Sequence, residues 1–231
     1  MINIIPYSEL GQGEFGWLKA RYHFSFSNYY NPSRMGFGKL RVINDDIISA
    51  HKGFPPHPHN NMEIITYVRS GAISHEDSQG NKGRTEAGDV QVMSAGSGVT
   101  HSEYNLEDEK TTLYQIWIEP NKQDVQPQWG QMNFPKEPVT DALNLVVSGN
   151  KEDNVLFIHQ DAQIYVGRLN TGTLIKHYLK KPAYILTSDG VMSINGQTLK
   201  KGDGAQIDEP INLNIKAIEP SEILIIELPN S

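Results

Sequence analysis

The sequence predicts an all-β fold, a sandwich or barrel unit built twice, and three observations carry that reading. Short β-rich runs recur between turn signals, no ten-residue window shows a strong amphipathic helical period, and the order of turns repeats in the two halves. Twenty glycines and thirteen prolines in 231 residues supply the punctuation such a chain needs.

Taken in order, Lys39 to Asn44 is the first strand-like run, followed by the extended segment Gly53 to His59. Glu63 to Val68 ends at the turn Ser70-Gly71, and a hairpin is expected around Gly80-Asn81. Ala87-Gly88-Asp89 then turns the chain into Val90 to Met93, and Thr111 to Ile118 closes the first half. Glu119 to Pro138 is rich in Pro, Gln, Asn and Lys and reads as a surface connection, so domains are expected over residues 1–125 and 126–231. In the second half, Leu143 to Val147, Leu156 to Ile158 and Ile164 to Arg168 precede Ala183 to Thr187, Val191 to Ile194 and Ile223 to Leu228. Here Ser188-Asp189-Gly190, Asn195-Gly196 and Lys201-Gly202-Asp203 repeat the three turns of the first half.

Composition narrows the function. With 38% hydrophobic and 20% charged residues, and no apolar run near the ~18 residues of a membrane span, the chain is expected to be soluble. Met1 to Gly16 has polar and acidic residues where a secretory signal needs a basic flank and an apolar core, so the expected location is cytoplasmic. The absence of cysteine excludes disulfides, thiolate metal sites and Cys nucleophiles, leaving His and carboxylates as ligands. A formal charge of −7 without a basic run argues against direct nucleic-acid binding.

One constellation carries chemistry. In Gly53-Phe54-Pro55-Pro56-His57-Pro58-His59 the prolines hold the backbone extended and remove N–H donors, which suits a sheet edge or barrel mouth. Side chains alternate along an extended chain, so His57 and His59 share a face with Cα atoms about 7 Å apart. The same spacing applies to His101-Ser102-Glu103 after the Gly-rich turn Ser94 to Gly98. A lone His-x-His is commonly a surface feature, but two such pairs make a three-imidazole, one-carboxylate set. That set suits iron, nickel, copper, manganese, cobalt or zinc and leaves one or two open positions on an ion preferring five or six ligands. Glu63, four residues after His59, competes with Glu103 for the carboxylate role.

The other histidines read more blandly. His75 and Asp77 share a face just before a Gly turn and are expected at a solvated hairpin tip, with support of a ligand as the alternative. His23, His51, His159 and His177 have no ligand-spaced partner. The second half has no His-x-His or His-x-Glu where the duplication would place one, so the second barrel is expected to be metal-free.

With these residues in hand, the chain resembles the pirin family of the cupin superfamily. The first cupin motif reads Gly53, His57, His59, Glu63, Gly71, and the second reads Gly88, Ser94-Ala95-Gly96, His101, Glu103. The leader His23-Phe24-Ser25-Phe26 and Leu40 to Asp46 also look pirin-like. The resemblance covers the first half closely and the second in outline. It implies a bicupin, two jelly-roll-like β-barrels in one chain, and takes the carboxylate ligand from Glu103 and not Glu63. The implied metal set is therefore His57, His59, His101 and Glu103 around one divalent transition metal ion, iron first.

Bacterial pirin-like proteins further imply quercetin 2,3-dioxygenase activity, in which a flavonol and molecular oxygen yield a depside and carbon monoxide. Glu103 would then be the catalytic base for the flavonol 3-hydroxyl. Phe24, Phe26, Phe54 and Met93 are core residues first and cavity-lining candidates second. A regulator acting through a protein partner is the competing implication, and another metal-dependent reaction of a small acid is a third. A monomer is expected, because two fused barrels can cover each other's faces.

Overall fold

The computed structural model describes residues 1–229. Its regular structure is strands joined by turns, with two short 3-10 turns at Tyr7–Glu9 and Lys151–Asp153, and no α-helix among the described residues. Among the described residues, no helix is long and apolar enough to cross a membrane.

The chain forms two compact units that are discontinuous in sequence. The first comprises Gly11–Phe134 with Asn150–Gln160, and the second comprises Met1–Leu10, Pro135–Gly149 and Asp161–Ser231. A single cut between residues 125 and 126 is simpler than this arrangement. Met1–Leu10 belongs to the second unit because Ile2–Ile5 pairs antiparallel with Gly204–Ile207.

In the first unit hydrogen bonding links the strands into two antiparallel sheets. A seven-stranded sheet runs in the order Gln128–Met132, Val90–Ser94, Glu63–Ser70, Thr111–Ile118, Leu40–Ile48, Leu18–Tyr22, Gly11–Glu14. A four-stranded sheet runs Lys52–His59, Val99–Asn105, Ala72–Asp77, Lys82–Glu86. Inward residues of both sheets meet in a cluster of Leu18, Tyr22, Ile48, Val68, Ile73 and Leu113. The second unit repeats the plan: Leu174–Tyr178, Asn212–Ala217, Val191–Ile194 and Gln197–Lys200 form the smaller sheet, and Ala183–Asp189 and Ser221–Glu227 are central in the larger. Its core of Ile175, Ile185, Ile194, Leu213, Ile215 and Ile225 again draws on both sheets.

The duplication read from the turns holds at the level of single hydrogen bonds. Gly88 donates to the Val68 carbonyl (2.8 Å) and Val68 to that of Asp89 (3.2 Å). Gly202 donates to Thr187 (2.7 Å) and Thr187 to Asp203 (3.0 Å) in the same way. The hairpins between the equivalent strands both need a left-handed residue, met by Gly71 (φ 73°) and Gly190 (φ 74°). In this register Thr66 and Gln91, which pair across strands, correspond to Ile185 and Ala205, which also pair.

Three local expectations change. The first run extends beyond Asn44 to Ile48, carrying Asp45 and Asp46 into the sheet; the polar Asn-Asp-Asp disguises a strand whose two faces are both covered. Ile2–Ile5, Gly11–Glu14 and Leu18–Tyr22 are too short to show in the pattern, and glycines interrupt the second of them. Within the expected surface connection, Gln128–Met132 pairs with Val90–Ser94 as an edge strand, and Val125 is buried. A Gly amid glutamines hides that strand.

Candidate metal centre

The proline-rich strand Lys52–His59 lies at the edge of the four-stranded sheet, where prolines lacking N–H groups leave no central hydrogen bond unmade. It pairs with Val99–Asn105 so that His57 stands opposite His101 and Val99 opposite His59; a bulge after His101 then sets Glu103 against Phe54. Gly53 allows this approach, since a Cβ there would lie 2.2 Å from the Glu103 carbonyl oxygen. The three imidazoles converge: ring centroids lie 4.8 Å (His57–His59), 4.5 Å (His57–His101) and 5.0 Å (His59–His101) apart. Their ligand atoms fall within 4.8 Å of one another.

Each ring presents a lone pair. His57 Nδ1 lies 2.8 Å from the Pro55 carbonyl oxygen, which can only accept, so Nδ1 carries the proton and Nε2 is free to coordinate. His59 Nε2 and His101 Nε2 are buried without a hydrogen-bond partner. Such orphaned atoms are costly unless something outside the protein satisfies them. Burial, reinforced by the neighbouring imidazoles, pulls His101 down to about 3, and burial with His57 beside it pulls His59 down to about 4. Both rings are therefore neutral at pH 7, the protonation state a metal requires. The donor set fits a divalent transition metal ion.

Glu103 is buried on the same strand as His101. Its Oε1 accepts from Gln91 Nε2 (2.7 Å) and Thr66 Oγ1 (3.2 Å), and its Oε2 from Gln115 Nε2. Burial outweighs these donors and pushes the carboxyl up to about 7. Glu103 lies within ligand reach of His101 and His75, a second triad that shares only His101 with the first. The four residues expected as ligands thus fall into two overlapping groups. Glu63 lies in neither: it is on the seven-stranded sheet and accepts from Ser94 Oγ at 2.7 Å.

His75 and Asp77 depart from the solvated hairpin tip expected of them. Both are buried, because Ala72–Asp77 pairs with Val99–Asn105 and places Asp77 opposite His101 and His75 opposite Glu103. The Asp77 carboxyl, held below its usual range by hydrogen bonds from Asn81, His75 and Gln79, accepts from His75 Nε2 at 3.1 Å. That leaves the His75 Nδ1 lone pair facing His101 Nδ1 at 3.4 Å. The chain of bonds puts the His101 proton on Nδ1 and its lone pair on Nε2, and Trp129 stacks on His75 with centroids 5.0 Å apart. The i, i+2 spacing of His75 and Asp77 signalled a shared face; their burial depends on pairing with a distant strand.

The imidazoles open onto a cavity of about 370 Å³ whose walls include Tyr22, Phe26, Phe54 and Trp117. Phe26 and Phe54, expected first as core, line it instead, whereas Phe24 is plain core and Met93 packs with Ile64, Ala95 and Val99. Trp117 meets His59 edge to face at 4.9 Å.

Two family models match the chain: "Pirin" over residues 6–118 and "Quercetinase C-terminal cupin domain" over residues 145–228. A pirin-like protein of Caulobacter vibrioides is 47% identical, with 98% of this chain and 99% of that protein covered. The quercetin 2,3-dioxygenase of Escherichia coli K12 is 40% identical, with 99% of each covered. The crystal structure of the bacterial pirin YhhW from Escherichia coli in complex with nickel(II) superposes with a TM-score of 0.93 at 40% identity, covering all of both chains. Sequence and fold together show that this chain, with two cupin-type domains, belongs to the pirin family.

Proposed function

We propose that the protein is a metal-dependent dioxygenase that cleaves flavonols such as quercetin with molecular oxygen to a depside and carbon monoxide. His57, His59, His101 and Glu103 hold the metal ion, with iron or nickel foremost, and Glu103 doubles as the base. The observation that carries this reading is the convergence of three imidazoles beside a buried carboxyl at an aromatic-walled cavity. The quercetin 2,3-dioxygenase name of the E. coli relative and the nickel in the bacterial pirin support it.

When bound, the ion supplies Lewis-acid stabilisation of negative charge on the substrate oxygen. The remaining work belongs to the chain. Glu103, buried at the cavity wall beside His101, is placed to take the proton of the flavonol 3-hydroxyl. Gln91, Gln115 and Thr66 fix its orientation through their hydrogen bonds. Tyr22, Phe26, Phe54 and Trp117 enclose the rings and exclude water.

The test is aerobic turnover of quercetin by purified protein of known metal content, with and without chelator. Metal-dependent loss of the flavonol absorbance with carbon monoxide release is expected. No turnover by fully metal-loaded protein would sink the proposal and favour a non-enzymatic metal-binding regulator acting through a protein partner.

A further inference from the structure

Beyond the metal ligands, the cavity wall carries two polar side chains that the chemistry above leaves unused. Asn44 and Asp46 lie two residues apart on Leu40–Ile48, so they project to the same side of the sheet, and both line the cavity. They are 5% and 2% exposed, and Asn44 Oδ1 and Asp46 Oδ1 are both buried without a hydrogen-bond partner. Asp45, between them, faces the other way and pairs with Arg69. The strand thus places one acidic residue in an ion pair and leaves its neighbour facing the pocket.

Of the other polar side chains around Glu103, Thr66, Gln91 and Gln115 all spend a donor on its carboxyl. Two unsatisfied polar atoms side by side on an otherwise aromatic wall mark a place where a ligand supplies the missing bonds.

We infer that Asn44 and Asp46 form a hydrogen-bonding subsite for ring hydroxyl groups of the substrate, making the enzyme selective for polyhydroxylated over unsubstituted aromatic substrates. The inference rests on the flavonol reading above. Burial, with Asp45 and Glu103 as negative neighbours, holds the Asp46 carboxyl well above its usual range. A protonated carboxyl both donates and accepts, as a phenolic hydroxyl does, and the Asn44 amide offers the same pair of roles. The aromatic walls hold the ring by its faces, and the polar pair reads its edge.

The experiment compares two flavonols on nickel-loaded protein under anaerobic conditions, binding being followed by quenching of tryptophan fluorescence. Quercetin carries ring hydroxyls; 3-hydroxyflavone keeps the 3-hydroxyl and 4-carbonyl but lacks them. The wild type is expected to bind quercetin at least about tenfold more tightly, the factor that one or two neutral hydrogen bonds provide. Asp46→Leu and Asn44→Leu should each erase most of that preference by weakening quercetin alone, while Asp46→Asn, which keeps a donor and an acceptor, should retain it. Nickel stoichiometry measured on each variant reports an intact fold, and Asp46→Asn and Asn44→Leu carry the test if Asp46→Leu does not fold. A wild type without preference, or a preference unchanged in the leucine variants, overturns the subsite while the flavonol reading survives. Binding of neither flavonol overturns both.

Discussion

The relay from Asp77 through His75 to His101 yields a sharp prediction, because it controls which nitrogen of a candidate ligand bears the proton. A neutral imidazole has one N–H. The Asp77 carboxylate can only accept, so His75 must donate through Nε2, its Nδ1 must accept from His101 Nδ1, and His101 Nε2 keeps its lone pair. In Asp77→Asn the new amide can donate to His75 Nε2, which reverses both tautomers and places a proton on the His101 nitrogen otherwise open for coordination. Loss of such a supporting partner typically lowers metal affinity about 10- to 100-fold, or about 1.4–2.7 kcal/mol. The assay is calorimetric titration of metal-free protein with nickel(II) at pH 7. Asp77 also accepts from the Gln79 and Asn81 backbone N–H groups and from Asn81 Nδ2, so the hairpin could loosen for unrelated reasons. Asn81→Ala removes only the side-chain share of that hairpin role and is expected to bind nickel within about twofold of wild type. If Asp77→Asn also binds within twofold, the relay does not govern the His101 tautomer.

Three further outcomes follow from the same geometry. His101→Ala removes the residue shared by both ligand groups and should abolish stoichiometric metal uptake in elemental analysis; retention of one ion per chain would place the site elsewhere. Glu103→Gln should keep the three imidazoles able to bind metal yet lower flavonol turnover by about 10²–10⁴-fold, the usual share of a positioned base, and steady-state kinetics normalised to metal content would show it. The same variant tests linkage in the metal-free state. Because Glu103 titrates at about 7 when folded and at 4.5 when exposed, its contribution is present below pH 4.5 and is lost as pH rises through 7. Between pH 4.5 and 8 the wild type should therefore lose up to about 3 kcal/mol relative to Glu103→Gln in urea unfolding with chelator; parallel curves would show that the carboxyl is not held up by burial.

Much of this molecule was legible one residue at a time. Alternation along an extended chain put His57 beside His59, the prolines sent that strand to a sheet edge, and the Gly-Asp turns announced a duplication that recurs in the bonds of Val68 and Thr187. These features are local: backbone geometry and short spacing suffice to infer them. Which carboxylate stands near the imidazoles was not local. Glu63 and Glu103 have similar claims by spacing, and the pairing of Val99–Asn105 with Lys52–His59 on one side and Ala72–Asp77 on the other is what brings the strand of His101 and Glu103 up to His57, His59 and His75. The same pairing buries His75 and Asp77, which look like a solvated hairpin when read alone, and the pairing of Gln128–Met132 with Val90–Ser94 draws Trp129 from an apparent linker onto His75. The cage of Thr66, Gln91 and Gln115 around Glu103 joins three different strands. Residue order alone carries the all-β class, the repeated turns and the candidate ligand pairs. The tertiary structure decided the burial, protonation and hydrogen-bond partners of those groups, because all three depend on side chains brought together from distant strands, and a local pattern does not record which strands will be neighbours.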